Sequence, residues 1–107
     1  MSKTIIAALR DEIQYPIKAG FFENKLIERG LKEGDEFDME VAKSDSYRGA
    51  VADCIVGLIL SPNVAEGDIK FDLTSKEMML KKANSIYQSI GEDPVDAGDK
   101  PIVYIES

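Results

Sequence analysis

The sequence contains no histidine and no tryptophan, and a single cysteine, Cys54. Without histidine, the side chain most often used as a general acid or base is missing, and a zinc site built from cysteine and histidine is excluded. One thiol forms no internal disulfide, which points to a reducing compartment. Cys54 stands in Ala52-Asp53-Cys54-Ile55-Val56, where apolar neighbours and an anion keep a thiol protonated. It therefore reads as a buried structural residue rather than a nucleophile. Also missing are the Gly-x-Ser-x-Gly elbow, the phosphate-binding glycine loop and the Gly-x-Gly-x-x-Gly fingerprint. The expectation is a protein that is not an enzyme and has neither cofactor nor metal.

Positive charge is in short supply: 13 Lys and Arg face 20 Asp and Glu, a formal net charge of -7. Broad contact with a phosphate backbone needs a basic face, so no sequence-specific nucleic-acid partner is expected. Lys76, Lys81 and Lys82 fall close together but read as a solvated helix face. Long hydrophobic runs are absent too. The longest, Ala50 to Leu60, contains Asp53 and Gly57 and falls short of the ~18–20 residues a bilayer crossing requires. The first twelve residues lack the apolar region and cleavage site of a secretory signal. No membrane partner is expected, and the chain should stay in the compartment where it is made.

What is present is an ordinary globular composition, 44% hydrophobic and 31% charged over 107 residues, enough for one domain with a modest core. Ile5, Leu9 and Ile13, with Ile6 beside them, give a short helix an apolar stripe that Pro16 terminates. Phe22, Leu26 and Ile27 form the apolar face of a second helix, with Gly30 placed to cap it. Lys32 to Glu40 is dense in charge and reads as a loop, with a helical turn around Met39 to Ala42. Ser44 or Ser46 then caps a third helix, apolar on nearly every side from Ala50 to Leu60, as befits the centre of the core. Ser61-Pro62-Asn63 ends it.

The fourth helix carries the clearest start signals. Thr74 and Glu77 form a capping box, and Leu73 is placed to pack on Met78 as a staple. Met79, Ala83, Ile86, Tyr87 and Ile90 follow at helical spacing, and Gly91 stands ready to cap the end. Residues 91–107 read as an acidic loop-like tail closing in a short strand, Pro101 to Ile105. A second strand is predicted within Asn63 to Leu73, where Ile69, Phe71 and Leu73 point to one side and Lys70 and Asp72 to the other. A lone strand cannot satisfy its backbone, so it pairs either with Ile102 to Ile105 or with another subunit. Ile69, Phe71, Leu73, Ile102 and Tyr104 are accordingly the candidate interface.

Two carboxylate clusters, one from Asp35 to Glu40 and one at Glu92, Asp93, Asp96 and Asp99, do not fit the spacing of a calcium loop and read as solvated. Asp53 is different. It is the one charge inside the apolar run, and a buried carboxylate is costly unless hydrogen-bonded or paired. Gly49, Asp53 and Gly57 share a helix face that another helix can approach closely, with Asn84 or Tyr87 as candidate partners for the carboxylate.

Several stretches resemble small proteins of phages and prophages from Bacteroides-type bacteria: Tyr15-Pro16, Leu26 to Leu31, Ala50 to Asp53, Ser61 to Asp68 and Ala83 to Tyr87. The likeness spans roughly Thr4 to Glu92. In the order of its elements the chain is also similar to the head-to-tail connector proteins of tailed phages. That resemblance implies a non-catalytic virion assembly protein forming a ring between portal and tail. Its implied partners are portal or tail proteins and copies of itself, and its place is the bacterial cytoplasm or the assembled virion. Residues 1–107 are thus expected to be one mainly α, four-helix compact domain with two short β-strands. The alternative function is a small acidic helical interaction module, or regulator, that binds a host or phage protein.

Overall fold

The computed structural model describes residues 3–60 and 72–95. Its order is β1 (Lys3–Thr4), α1 (Ile5–Ile13), α2 (Ala19–Glu28), β2 (Glu36–Phe37), α3 (Met39–Lys43), α4 (Asp45–Leu60) and α5 (Leu73–Ser89). The result is a mainly helical domain of four substantial helices with a two-stranded antiparallel sheet.

Helix α1 begins where Thr4 accepts a hydrogen bond from the Ala7 amide, and it buries Ile5, Ala8, Leu9 and Ile13. The next two free amides of its first turn are taken up from outside: Ile5 N–H donates to the Asp35 carbonyl and Ile6 N–H to that of Glu33. Those bonds tie the chain start to the charged connection after α2, and β1 continues the tie by pairing Lys3 with Phe37 and Thr4 with Glu36. At its other end α1 stops one turn before Pro16, with Gln14 in the left-handed region at φ 66°. The connection from Lys32 to Glu40 is thus more ordered than a plain loop. Asp38 caps α3 by accepting from the Val41 amide, which places the predicted helical turn at Met39–Lys43.

Helix α2 packs Phe22 and Leu26 inward, whereas Ile27 is 68% exposed and does not share that face. Ser44 caps α4 by accepting from the Tyr47 amide. Along α4 buried residues succeed one another on almost every side, from Tyr47 to Ile59, because α1, α2, α3 and α5 all pack against it. This confirms the central helix expected from its lack of a polar face.

Helix α5 runs back along α4 and turns Ala83 and Tyr87 into the core, with Met79, Ile86 and Ile90 beside them. Its start corrects the sequence reading. The cap is Asp72, whose Oδ1 accepts from the Ser75 amide at 2.7 Å, and Leu73 is already helical. Aspartate outranks threonine as a cap, and its charge also suits the positive end of the helix dipole. The bond to Ser75 holds the Asp72 carboxyl below its usual range. Leu73 therefore neither ends a strand nor staples Met78; the two are 67% and 66% exposed. The remainder of both predicted strands, with Ile69, Phe71, Ile102 and Tyr104, lies outside the described residues.

Candidate functional site

Two helix ends converge on one polar cluster. Helix α2 finishes in a Schellman motif: Leu31 N–H donates to the Leu26 carbonyl, Gly30 N–H to that of Ile27, and Gly30 adopts φ +78°. Helix α5 finishes the same way, with Glu92 N–H on the Tyr87 carbonyl, Gly91 N–H on that of Gln88, and Gly91 at φ +81°. The first motif fixes Arg29, the residue just before its glycine. The second fixes Glu92, the residue just after.

Between them lies the middle of α4. Arg29 donates from Nε to Asp53 Oδ2 at 2.8 Å and from Nη2 to Oδ1 at 3.0 Å, a two-pronged pair with both side chains 19% exposed. The same guanidinium donates from Nη1 to Glu92 Oε2 at 2.5 Å and from Nη2 to Oε1 at 3.0 Å. Tyr87 completes the set by donating its hydroxyl to Asp53 Oδ1 at 2.6 Å. The guanidinium lies flat over Gly49, where a Cβ would overlap Arg29 Cζ, and two turns further on Gly57 leaves room for the Phe21 ring. The glycine face predicted on α4 thus admits α2, and α5 supplies Tyr87 from the other side.

Asp53 and Tyr87 meet as expected, but Asn84 does not join them. Its Nδ2 donates to the Val95 carbonyl at 2.9 Å, and Val95 N–H donates to Asn84 Oδ1 at 2.7 Å, which fastens the chain after α5 onto that helix. Arg29 and Glu92 are the residues that the sequence reading missed; Glu92 is an ion-pair partner rather than a solvated acid. Their signal was present, since each adjoins a capping glycine and so sits at a helix end where a cation or a tethered anion is held in place.

Chemically the cluster is closed. The hydrogen bonds from Asp53 and then Glu92 raise the Arg29 pKa further above its already high value, so the cation is permanent. Burial, and next the bond to Asp53, raises the Tyr87 hydroxyl above its ordinary range and keeps it a donor. The Asp53 carboxylate, held by a guanidinium and a phenol, joins α2, α4 and α5. The hydrogen bond from Arg29 holds the Glu92 carboxyl below its usual value. A depressed acid contributes stability that is present above its unfolded pKa of about 4.3 and is lost as pH falls through the lower folded value. Acid titration followed by circular dichroism should therefore show Glu92→Gln less stable than the parent at pH 6 and the gap closing below about pH 4.

Cys54 is fully buried, and burial, reinforced by Asp53, pushes its thiol up to about 12. At pH 8 the folded protein should leave a thiol-specific chromogenic reagent unreacted for at least an hour, whereas protein unfolded in urea should consume one equivalent within minutes. Rapid reaction of the folded chain would contradict the burial. Among the described residues no group of three or more His, Cys, Asp or Glu side chains is placed to hold a metal ion, and no helix is long and apolar enough to cross a membrane.

Two depressions stand out among the described residues. One, of about 460 Å³, is walled by Lys3, Asp11, Glu12, Tyr47 and Lys82; Lys3 and Asp11 are already paired at 2.7 Å. The Tyr47 ring packs on Phe37 with centroids 5.0 Å apart, and its hydroxyl is sealed from the surface. The other, of about 740 Å³, is a groove between the end of α4 and the length of α5. Leu60, Leu73 and Met78 line it at 57%, 67% and 66% exposure, together with the charged side chains of Lys76, Glu77 and Lys81.

The chain belongs to the family described as "Family of unknown function (DUF6706)", whose profile matches residues 3–106. No curated protein and no solved structure matches it.

Proposed function

We propose that this chain, as a member of that family, acts without catalysis as a head-to-tail connector of a tailed phage or a related virion assembly protein, docking on portal or tail proteins and on copies of itself. The observation that carries this reading is the groove beside α5, where the exposed side chains of Leu60, Leu73 and Met78 share the lining with Lys76, Glu77 and Lys81. A groove of this make suits an apolar segment of a protein partner, in the manner of helix-and-groove recognition. The resemblance to connector proteins in the order of elements supports the same reading. So does the use of the most buried charges, which bind each other and leave no poised reactive group in the cluster.

Light scattering with and without a portal protein from the same genome tests it. Assembly predicts a mass well above that of one chain, or a stable complex with the portal. A strict monomer that ignores the portal would sink the proposal. The alternative, a regulator gripping a host protein, uses the same groove. Pull-down separates the two, because a connector retains a virion component and a regulator retains a host factor.

A further inference from the structure

The cleft lined by residues of α1, β2, α4 and α5 holds a polar group that nothing in the described protein answers. Tyr47 lines it and is 4% exposed, and its buried hydroxyl has no hydrogen-bond partner among the described residues. Such an atom calls for an explanation, because burying a donor unpaired costs stability. Burial, and next the field of Glu12, raises the pKa of the hydroxyl, so it stays protonated and able to donate.

The rest of the lining indicates what kind of molecule would supply the acceptor. Its charged side chains balance, Lys3 and Lys82 against Asp11 and Glu12. Lys3 and Asp11 pair with each other at 2.7 Å, whereas Glu12 and Lys82 make no ion pair or hydrogen bond among the described residues. Phe37, Leu58 and Met79 add apolar surface, and about 460 Å³ is room for a small molecule. A ligand of one charge would meet a side chain of its own sign. A ligand carrying one charge of each sign has a partner for both.

We propose that this cleft binds a small zwitterion with an apolar body, of dipeptide size: its ammonium meets Glu12, its carboxylate meets Lys82, and a carbonyl between them accepts from the Tyr47 hydroxyl. Because the hydroxyl is sealed, entry displaces part of the wall. The side chains of Lys3 and Asp11 are 49% and 67% exposed, and their pair yields most readily, since exposed ion pairs add little to stability. The cleft shares no lining residue with the α4–α5 groove, so this inference stands apart from the assembly reading.

Titration of the full-length, ¹⁵N-labelled chain with leucyl-leucine tests it, in about 0.15 M salt so that distant charges are screened. Saturable shifts are expected at the amides of Glu12, Gln14, Tyr47 and Lys82, with a midpoint below about 1 mM. Blocking either end of the probe, as in N-acetyl-leucyl-leucine or leucyl-leucinamide, should weaken binding about threefold. The first preference should vanish in Glu12→Gln and the second in Lys82→Met. Tyr47→Phe should bind leucyl-leucine about five- to tenfold more weakly, yet resist urea at least as well as the parent, because it removes only an unpaired hydroxyl. Absence of saturable shifts at those amides, equal affinity for the three probes, or undiminished binding by Tyr47→Phe would each overturn the proposal. A Tyr47→Phe chain markedly less stable than the parent would do so as well, by showing that the hydroxyl already has a partner.

Discussion

Replacing Arg29 with alanine is expected to destabilise the fold by about 2–3 kcal/mol, below the 3–5 found for fully buried pairs because water reaches the rim of this cluster. The loss is not the value of one ion pair. Arg29→Ala leaves Asp53 partly buried in the middle of α4 with only the Tyr87 hydroxyl to stabilise it, and it frees Glu92 at the negative end of the α5 dipole. With a urea slope of about 1.25 kcal/mol per molar for a domain of this size, the midpoint should fall by about 2 M. Arg29→Met combined with Asp53→Leu should lose less than the sum of its parts, because the uncompensated charge is gone. Gly49→Ala reaches the same joint from beneath. Its Cβ occupies the place of the guanidinium, so the gain of about 1 kcal/mol in helix propensity is offset by displacement of Arg29 from its carboxylates. A midpoint for Arg29→Ala within 0.3 M of the parent would show that the cluster is not the joint described.

Phe22→Ala is expected to cost more, about 3–5 kcal/mol, out of a total of about 5–15 kcal/mol for a domain this size. Phe22 is 1% exposed and among the largest fully buried side chains. Its removal opens a cavity in the core to which α1, α2 and α4 contribute. The ring also lies under the Arg10 guanidinium, with Cζ 5.7 Å from the centroid, an interaction lost with it. Scanning calorimetry should record a fall in Tm of about 15–20 °C. On the same helix, Ile27→Ala is the control. With 68% of its surface exposed, Ile27 should contribute less than about 0.5 kcal/mol. Comparable losses at the two positions would mean that α2 presents a different face to α4.

These two residues mark how far the fold was legible before the structure. Phe22 and Leu26 could be assigned to the core from spacing, since a helix must turn one stripe inward. Ile27 satisfied the same pattern, yet it lies on the far side of α2. Adjacent positions differ by about 100° around a helix, and only the location of α4 decides which is buried. The start of α5 was read at Thr74, because Asp72 fitted the alternation of the predicted strand; the helix instead begins at Leu73 with Asp72 as its cap. The sheet at Lys3–Thr4 and Glu36–Phe37 was illegible because two residues carry no periodicity.

The polar cluster divides in the same way. Asp53 within an apolar run announced that a partner had to exist, and Tyr87 was among those named. Arg29 and Glu92 stand 24 positions before Asp53 and, relative to Arg29, 63 positions further on. No local pattern links residues so far apart.

The sequence by itself determined the helices, their glycine stops, the central place of α4 and the need to neutralise Asp53, because each follows from short-range geometry or from the cost of burying a charge. The tertiary structure alone decided which cation answers Asp53, which side of α2 is hidden, and that Leu60, Leu73 and Met78 share an open groove. Those outcomes depend on how separate helix ends meet in space, and that meeting minimises the energy of the whole chain rather than of any one segment.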